Sequence, residues 1–261
     1  MTDPYYQDDH VTLYGGDALA VLRELPTGSV DAVITDPPYS SGGMVRGDRT
    51  SSTASKYVGF NQGGGVYSEF TGDNRDQRGF LYWSALWMGE CLRVATPGAL
   101  LMVFTDWRQL PTVTDAVQAG GWVYRGVVAW DKNNTARPRP VFRSSVEFCV
   151  WASHGPVTGY PAATTPSVLA ASPPREREHM TQKPLELLQR LVGVTREGCT
   201  VLDPFMGSGT TGAAAVMEGR RFIGVEMVEH YQQVAQRRIL TAAGQSIATD
   251  EQGDLFEEPA S

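Results

Sequence analysis

The chain has 261 residues, 41% of them apolar, and a formal charge of −7, enough for one substantial core carrying insertions. That charge argues against a protein that coats nucleic acid nonspecifically, but it does not exclude local basic patches. With no run of about eighteen apolar residues and no basic-then-apolar start, neither a membrane span nor a secretory signal is expected.

Val11 to Tyr14 reads as a short strand, Asp17 to Leu25 as a helix and Val30 to Thr35 as the next strand. These make a β-α-β unit whose short linkers favour a parallel sheet. The third element ends in Asp36-Pro37-Pro38-Tyr39, and the carboxyl ends of strands are where open α/β sheets place their ligands. Asp36 offers a side-chain acceptor, Pro37 a carbonyl without its own backbone donor, and Tyr39 a flat face for a planar ring. Such a site suits an aromatic amine.

Residues 40–78 form a Gly-rich polar insertion with Arg46, Arg49, Lys56, Arg75 and Arg78 among aromatic residues. Phe80 to Val94 has helical spacing closed by Pro97-Gly98, and Ala99 to Phe104 reads as a buried strand. Leu110 to Ala119 is a further helix, stopped by Gly120-Gly121. Trp122 to Trp130 and Ser145 to Trp151 follow as two strands suited to an antiparallel edge. Between them Asp131 to Arg143 sets Lys132, Arg137, Arg139 and Arg143 against one acid, a candidate phosphate-contacting loop. His154 to Met180, rich in Pro, Ala, Ser and Thr, reads as a surface segment or linker.

The alternation then restarts: helix Pro184 to Val194, strand Thr200 to Leu202, helix Thr210 to Met217, strand Arg221 to Val225 and helix Val228 to Leu240. The whole predicts a doubly wound, mostly parallel α/β sheet in one domain over residues 1–248, with insertions at about 40–78 and 131–180. The tail 249–261 has five acids and no basic residue and is expected to be disordered. Cys91, Cys149 and Cys199 are far apart and never in a C-x-x-C pair, which points to a reducing cytoplasm and against zinc. Cys149, in an apolar stretch, reads as core. The four histidines are equally scattered, so no metal is expected.

A second constellation, Asp203-Pro204-Phe205-Met206-Gly207-Ser208-Gly209-Thr210-Thr211-Gly212, joins a strand to a helix and contains G-x-G-x-x-G, with Glu226 ending the next strand as a ribose-binding acid should. Taken alone it fits a nicotinamide dinucleotide or another adenosine cofactor. Two features disfavour the dinucleotide: Asp203 sets a negative charge before the glycines, and Pro204-Phe205 lengthens the turn. No Lys follows the glycines as a P-loop requires.

Asp203 to Gly209 resembles the S-adenosylmethionine motif of DNA amino-methyltransferases, and Asp36-Pro37-Pro38-Tyr39 resembles their catalytic motif. His179-Met180-Thr181-Gln182-Lys183-Pro184 is similar to a third motif of that family. The catalytic motif precedes the cofactor motif, the permuted order of the family's β class, and the resemblance covers most of residues 11–240. It implies a Rossmann-like methyltransferase fold with a seven-stranded sheet whose last strand is antiparallel. Asp203, Pro204, Phe205, Gly207, Ser208, Gly209 and Thr210 would hold the cofactor, Glu226 its ribose, Asp17 its adenine amine and Lys183 its methionine carboxylate. Ordinary alternatives exist for two of these: Asp17 suits a helix cap, and Lys183 suits an exposed first turn.

On this reading the acceptor is a base flipped out of double-stranded DNA and stacked on Tyr39. Asp36 and the Pro37 carbonyl accept hydrogen bonds from the two hydrogens of its exocyclic amine while the lone pair attacks the methyl carbon, with no proton removed by Asp36 before transfer. The aspartate form more often resembles the adenine-N6 enzymes, with cytosine N4 the alternative; C5 methylation would need a cysteine nucleophile beside a strand. Sequence recognition falls to the insertions, with Arg46, Arg49, Lys132, Arg137, Arg139 and Arg143 as candidate DNA contacts. Relatives of the β class are often dimers, so a homodimer is an expectation. No nuclease-like block occurs, so restriction would need a separate endonuclease. Competing readings are a nicotinamide-dependent oxidoreductase and a catalytically silent DNA-binding regulator.

Overall fold

The computed structural model describes residues 3–38, 75–133, 145–157, 159–160, 165–174 and 182–244. In chain order, β1 (Tyr6–Gln7) and β2 (Val11–Gly15) lead through α1 (Ala18–Glu24) to β3 (Val30–Thr35). After α2 (Gln77–Val94) come β4 (Ala95–Thr105), α3 (Leu110–Ala119), β5 (Val123–Asp131), β6 (Val146–Ser153) and β7 (Val168–Ala170). The last third runs α4 (Leu185–Gly193), β8 (Thr200–Asp203), α5 (Thr210–Met217), β9 (Arg221–Glu226) and α6 (Glu229–Ala242).

These strands form one sheet in the order β1-β2-β9-β8-β3-β4-β6-β5-β7. β2, β9, β8, β3 and β4 are mutually parallel, and β6 runs antiparallel to both β4 and β5. The expected seven strands are thus present, with β6 the antiparallel one. Two short strands, β1 beside β2 and β7 beside β5, extend the edges to nine. β7 corrects the reading of His154 to Met180 as plain linker: Leu169 is buried and its neighbours pair with Ala129 and Asp131. It also means that the β5–β6 pair does not close the sheet.

Side chains alternate across the sheet from Ala32 to Ile34, and Val30, before an irregularity in β3, falls on the face of Val33. Ala32 and Ile34 of β3 join Val201, Leu187, Leu188 and Ile239 in the core under α4, α5 and α6. Val30 and Val33 join Leu22, Trp87 and Val113 in the core under α1, α2 and α3. Helices therefore cover both faces. β4 starts at Ala95, earlier than the apolar run suggests, and its pairing with β3 slips between Val30 and Ala32. Pro97, which has no N–H to donate, and Gly98 at φ 85° lie at that irregularity.

The chain winds outward in opposite directions from the β8–β3 pair: β8 continues through α5 to β9, and β3 through α2 to β4. Such a reversal opens a crevice beyond the carboxyl ends of the two central strands. Asp203 ends β8 and Asp36 directly follows β3. Among the described residues no helix is long and apolar enough to cross a membrane. Cys91, Cys149 and Cys199 are all buried and free.

Candidate active site

At the crevice, Thr35 donates to Asp203 Oδ1 across the strand pair at 2.6 Å, and the Phe205 N–H donates to the same oxygen at 3.0 Å. Asp203 is 2% exposed, and burial pushes its carboxyl up to about 7 despite the Thr35, Thr211 and Phe205 hydrogen bonds. Through the Thr35 and Phe205 hydrogen bonds Asp203 staples the start of the loop to β3. A carboxyl whose folded pKa is raised contributes stability below its unfolded value of about 3.9, and that contribution is lost as pH rises through about 7. Urea denaturation should therefore show wild type losing stability relative to Asp203→Asn between about pH 4 and 7. A pH-independent difference would mean that the acid is ionised throughout.

The glycines of the loop have separate structural reasons. Gly207 and Gly209 take φ 50° and 78°, values that L side chains rarely adopt. A Cβ on Gly209 would lie 2.9 Å from Ala235 Cα, and one on Gly212 would lie 2.5 Å from Ile239 Cδ1 and 2.6 Å from Phe222 Cε1. The loop and the first turn of α5 thus press directly on α6 and β9. Arg238 of α6 completes the clamp, donating to Ser208 O and Ser208 Oγ at 2.7 Å and to Thr210 Oγ1 at 3.3 Å. Sequence reasoning missed Arg238, whose role is set by tertiary contact alone.

Glu226, at the end of β9, accepts from the Gly207 N–H at 3.0 Å and from the Val228 N–H at 2.8 Å. Burial raises its carboxyl and these N–H groups oppose the shift. Gly15 of β2 pairs with Glu226, which brings Asp17 beside it; one Asp17 oxygen caps α1 through the Ala20 N–H at 3.0 Å. The helix-cap reading of Asp17 is realised. Phe205 packs against Trp83 and Trp87 of α2, with centroids 5.4 and 5.2 Å away.

Across the crevice Asp36 continues the alternation of Ala32 and Ile34, so it faces the side covered by α4. Lys183, two residues before that helix and 6% exposed, donates to Asp36 Oδ2 at 2.5 Å. Its ammonium also lies 3.5 Å from Glu147 Oε2 of β6 and 5.2 Å from the centroid of the Phe104 ring. Lys132, at the end of β5, donates to Glu147 Oε1 at 2.5 Å. Four alternating charges therefore run Asp36–Lys183–Glu147–Lys132. Burial raises the Asp36 carboxyl, with Lys183 pulling it back; Lys183 is held above the ordinary ammonium range by its two carboxylates, which outweigh burial.

Asp36 Oδ2 is taken by Lys183, whereas Oδ1 is buried and has no hydrogen-bond partner among the described residues. Asp36, Phe104 and Lys183 line one pocket with Phe205, Gly207 and Ser208 of the glycine loop. Lys183 is buried, which overturns the exposed-turn reading, and its ammonium meets the carboxylates of Asp36 and Glu147. Lys132, one of the candidate DNA contacts, pairs with Glu147. Glu147 was missed, although an acid inside an apolar strand was a visible signal. Pro37 is buried and Pro38 half-buried. Tyr39, Arg46, Arg49, Arg137, Arg139 and Arg143 lie outside the described residues. Among the described residues no group of three or more His, Cys, Asp or Glu could hold a metal ion.

A glycine loop with an acid ending the next strand, facing an Asp-Pro-Pro segment across the point where the sheet reverses, defines a Rossmann-like methyltransferase site. The DNA methylase family model for N6/N4 methyltransferases matches residues 30–172 and 164–237, and the chain belongs to that family. It is similar to the putative methylase YubD of Escherichia coli (strain K12), 30% identical over 226 residues, 86% of this chain and 88% of that protein. It is also similar to the type II methyltransferase M2.DpnII of Streptococcus pneumoniae, 28% identical over 264 residues, 92% of this chain and 93% of that protein. The crystal structure of M1.HpyAVI in complex with SAM matches with a TM-score of 0.62 at 25% identity, covering 88% of this chain and 98% of that one. The chain is therefore a DNA amino-methyltransferase of the class that acts on adenine N6 or cytosine N4.

Proposed function

We infer that the protein transfers a methyl group from S-adenosylmethionine to the N6 amine of an adenine flipped out of duplex DNA. The observation that carries this reading is Asp36 Oδ1, a buried carboxylate oxygen without a partner among the described residues, in a pocket bounded by the glycine loop. A buried polar atom left unpaired is costly, and an amine donating to it on binding would remove that cost. When bound, S-adenosylmethionine supplies a sulfonium methyl as the electrophile. The residues present fit it: left-handed Gly207 and Gly209 keep side chains away from the loop, and the Glu226 carboxylate, tied to that loop through the Gly207 N–H, would hold the ribose hydroxyls.

The chain's own work is to hold the amine. Asp36 Oδ1 accepts a hydrogen bond from one N–H of the amine and the Pro37 carbonyl from the other, so that the nitrogen lone pair points away from both acceptors; once the methyl group is on nitrogen, the surplus proton leaves through the Asp36 carboxylate. As positive charge develops on nitrogen, the carboxylate lies in a buried site where such stabilisation is large. Lys183 on Oδ2 favours the ionised state of Asp36 against burial. Tyr39 stacks on the flipped base, worth on the order of 1–3 kcal/mol.

The aspartate of the tetrapeptide favours adenine over cytosine. Mass spectrometry of nucleosides from DNA of expressing cells should show N6-methyladenine, and sequencing of the modified positions gives the recognition site. N4-methylcytosine instead would move the target base while leaving the acceptor chemistry intact. A homodimer, and a separate endonuclease reading the same site, belong to this proposal; sedimentation of the purified protein tests the first.

A further inference from the structure

We propose that Glu147 is a positioning residue for methyl transfer: it shares Lys183 with Asp36, keeps Asp36 Oδ1 turned to the acceptor amine, and ties that carboxylate to the base of the β5–β6 hairpin. This rests on the reading of Asp36 as the amine acceptor.

The arrangement follows from the sheet. Phe104 pairs with Cys149 and Trp130 pairs with Glu147, while Ala32, Ile34, Phe104, Trp130 and Cys149 all share the core under α4. By alternation, Asp36 of the β3 end, Glu147 of β6 and Lys132 of the β5 end project on that same face. Lys183 enters the face from above, just before α4. Lys183 is the most buried member of the series at 6% side-chain exposure, with Asp36 at 21%, Glu147 at 17% and Lys132 at 20% around it. Among the described residues, Lys183 lies between the Asp36 and Glu147 carboxylates, Lys132 lies beyond Glu147, and the Asp203 carboxyl of the glycine loop and the Cys149 thiol of β6 also face Asp36.

Geometry assigns Glu147 its task. Lys183 stands 2.5 Å from Asp36 and 3.5 Å from Glu147, so the ammonium leans to Asp36 while Glu147 holds it from the other side. Without the Glu147 charge, Lys183 would swing wholly onto Asp36 and compete for Oδ1. Burial would push the Glu147 carboxyl up, but Lys183 and Lys132 together hold it below the usual carboxylate range, so it stays an anion. The Lys132 backbone N–H also bonds Ser145 O at 2.9 Å, closing the hairpin base from which residues 134–144 depart. That places the acceptor carboxylate and the base of the basic loop on one chain of contacts.

The test uses purified full-length protein and three variants, Glu147→Gln, Glu147→Asp and Lys132→Met. Glu147→Gln is expected to lower kcat by about tenfold, the scale of losing an outer partner that orients a reacting group, with KM for S-adenosylmethionine and DNA within about twofold. The Asp36 carboxyl, followed by 13C NMR and assigned with Asp36→Asn, should titrate at lower pH in Glu147→Gln, because the neighbouring negative charge is gone. Removing the positive charge in Lys132→Met should move it to higher pH, and Glu147→Asp should restore the wild-type position. An unmoved Asp36 titration across the series, whether or not kcat falls, makes Glu147 a structural residue only and overturns the proposal; so does an unchanged kcat in Glu147→Gln. Should Glu147→Gln not fold, Lys132→Met and Glu147→Asp decide by the same titration. If wild type transfers no methyl group to any DNA, the Asp36 acceptor reading fails, while the titrations still report whether Glu147 governs Asp36.

Discussion

Asp36→Asn is expected to lower kcat by about 10²–10³-fold, the range found when one preorganised stabilising group is removed from an active site. The dissociation constant for S-adenosylmethionine should change by less than about twofold, because the hydrogen bonds that shape the glycine loop come from Thr35, Glu226 and Arg238 rather than from Asp36. The substitution keeps size and shape, so packing against Pro37 and Phe104 survives. It fails through its hydrogen-bond pattern. Lys183 has only donors, so the carbonyl oxygen of the introduced amide turns toward it, as Asp36 Oδ2 does now at 2.5 Å. The amide NH2 then occupies the position of Oδ1 and presents two donors to an amine that itself needs acceptors. Single-turnover methyl transfer and calorimetry with S-adenosylmethionine separate the two quantities. Transfer at the wild-type rate in this variant would remove Asp36 from the chemistry.

Much of the fold was legible because local pattern and tertiary structure agree. β3, α3 and α5 have the bounds their apolar runs and punctuation suggested, and the glycine loop sits between β8 and α5 as read. Where the two levels part, long-range pairing decides. β7 lies in a Pro- and Ser-rich stretch with no apolar period, and forms because β5 offers its backbone to residues 168–170. β4 runs through Pro97-Gly98 because the neighbouring β6 and β3 hold it on both sides.

The site divides in the same way. Asp36, Asp203, Gly207, Gly209 and Glu226 could be found from sequence because each belongs to a motif at a strand end. Arg238 could not, since the Ser208 it clamps lies 30 residues away along the chain. Glu147 needs both the β4–β6 and the β5–β6 registers before it meets Lys183 and Lys132. The ionisation of Asp203 depends on tertiary structure in the same way. Sequence gives the residue type, but burial and the Thr35 hydroxyl set its ionisation.

Lys183→Met tests the other half of the acceptor site and has an expected effect nearly as large, with a pH signature. Methionine fills the space of the lysine stem, so the buried volume under α4 is kept. What goes is the charge between Asp36 and Glu147. Burial already raises the Asp36 carboxyl and Lys183 is the largest opposing influence; without it, the nearby Glu147 anion raises the carboxyl further. At neutral pH a larger share of Asp36 is then protonated, and a protonated oxygen donates where the amine needs an acceptor. The acid limb of the kcat profile should move to higher pH, with activity at pH 7 reduced by about 10²-fold and partly recovered as the pH is raised. If Lys183 instead serves chiefly to bind the methionine carboxylate of the cofactor, the dissociation constant for S-adenosylmethionine should rise by about tenfold or more, an energy of about 1.4 kcal/mol, while the acid limb stays in place. The contacts of Lys183 with Asp36 at 2.5 Å and Glu147 at 3.5 Å favour the first outcome. A pH–rate profile and a binding isotherm on the one variant decide between them.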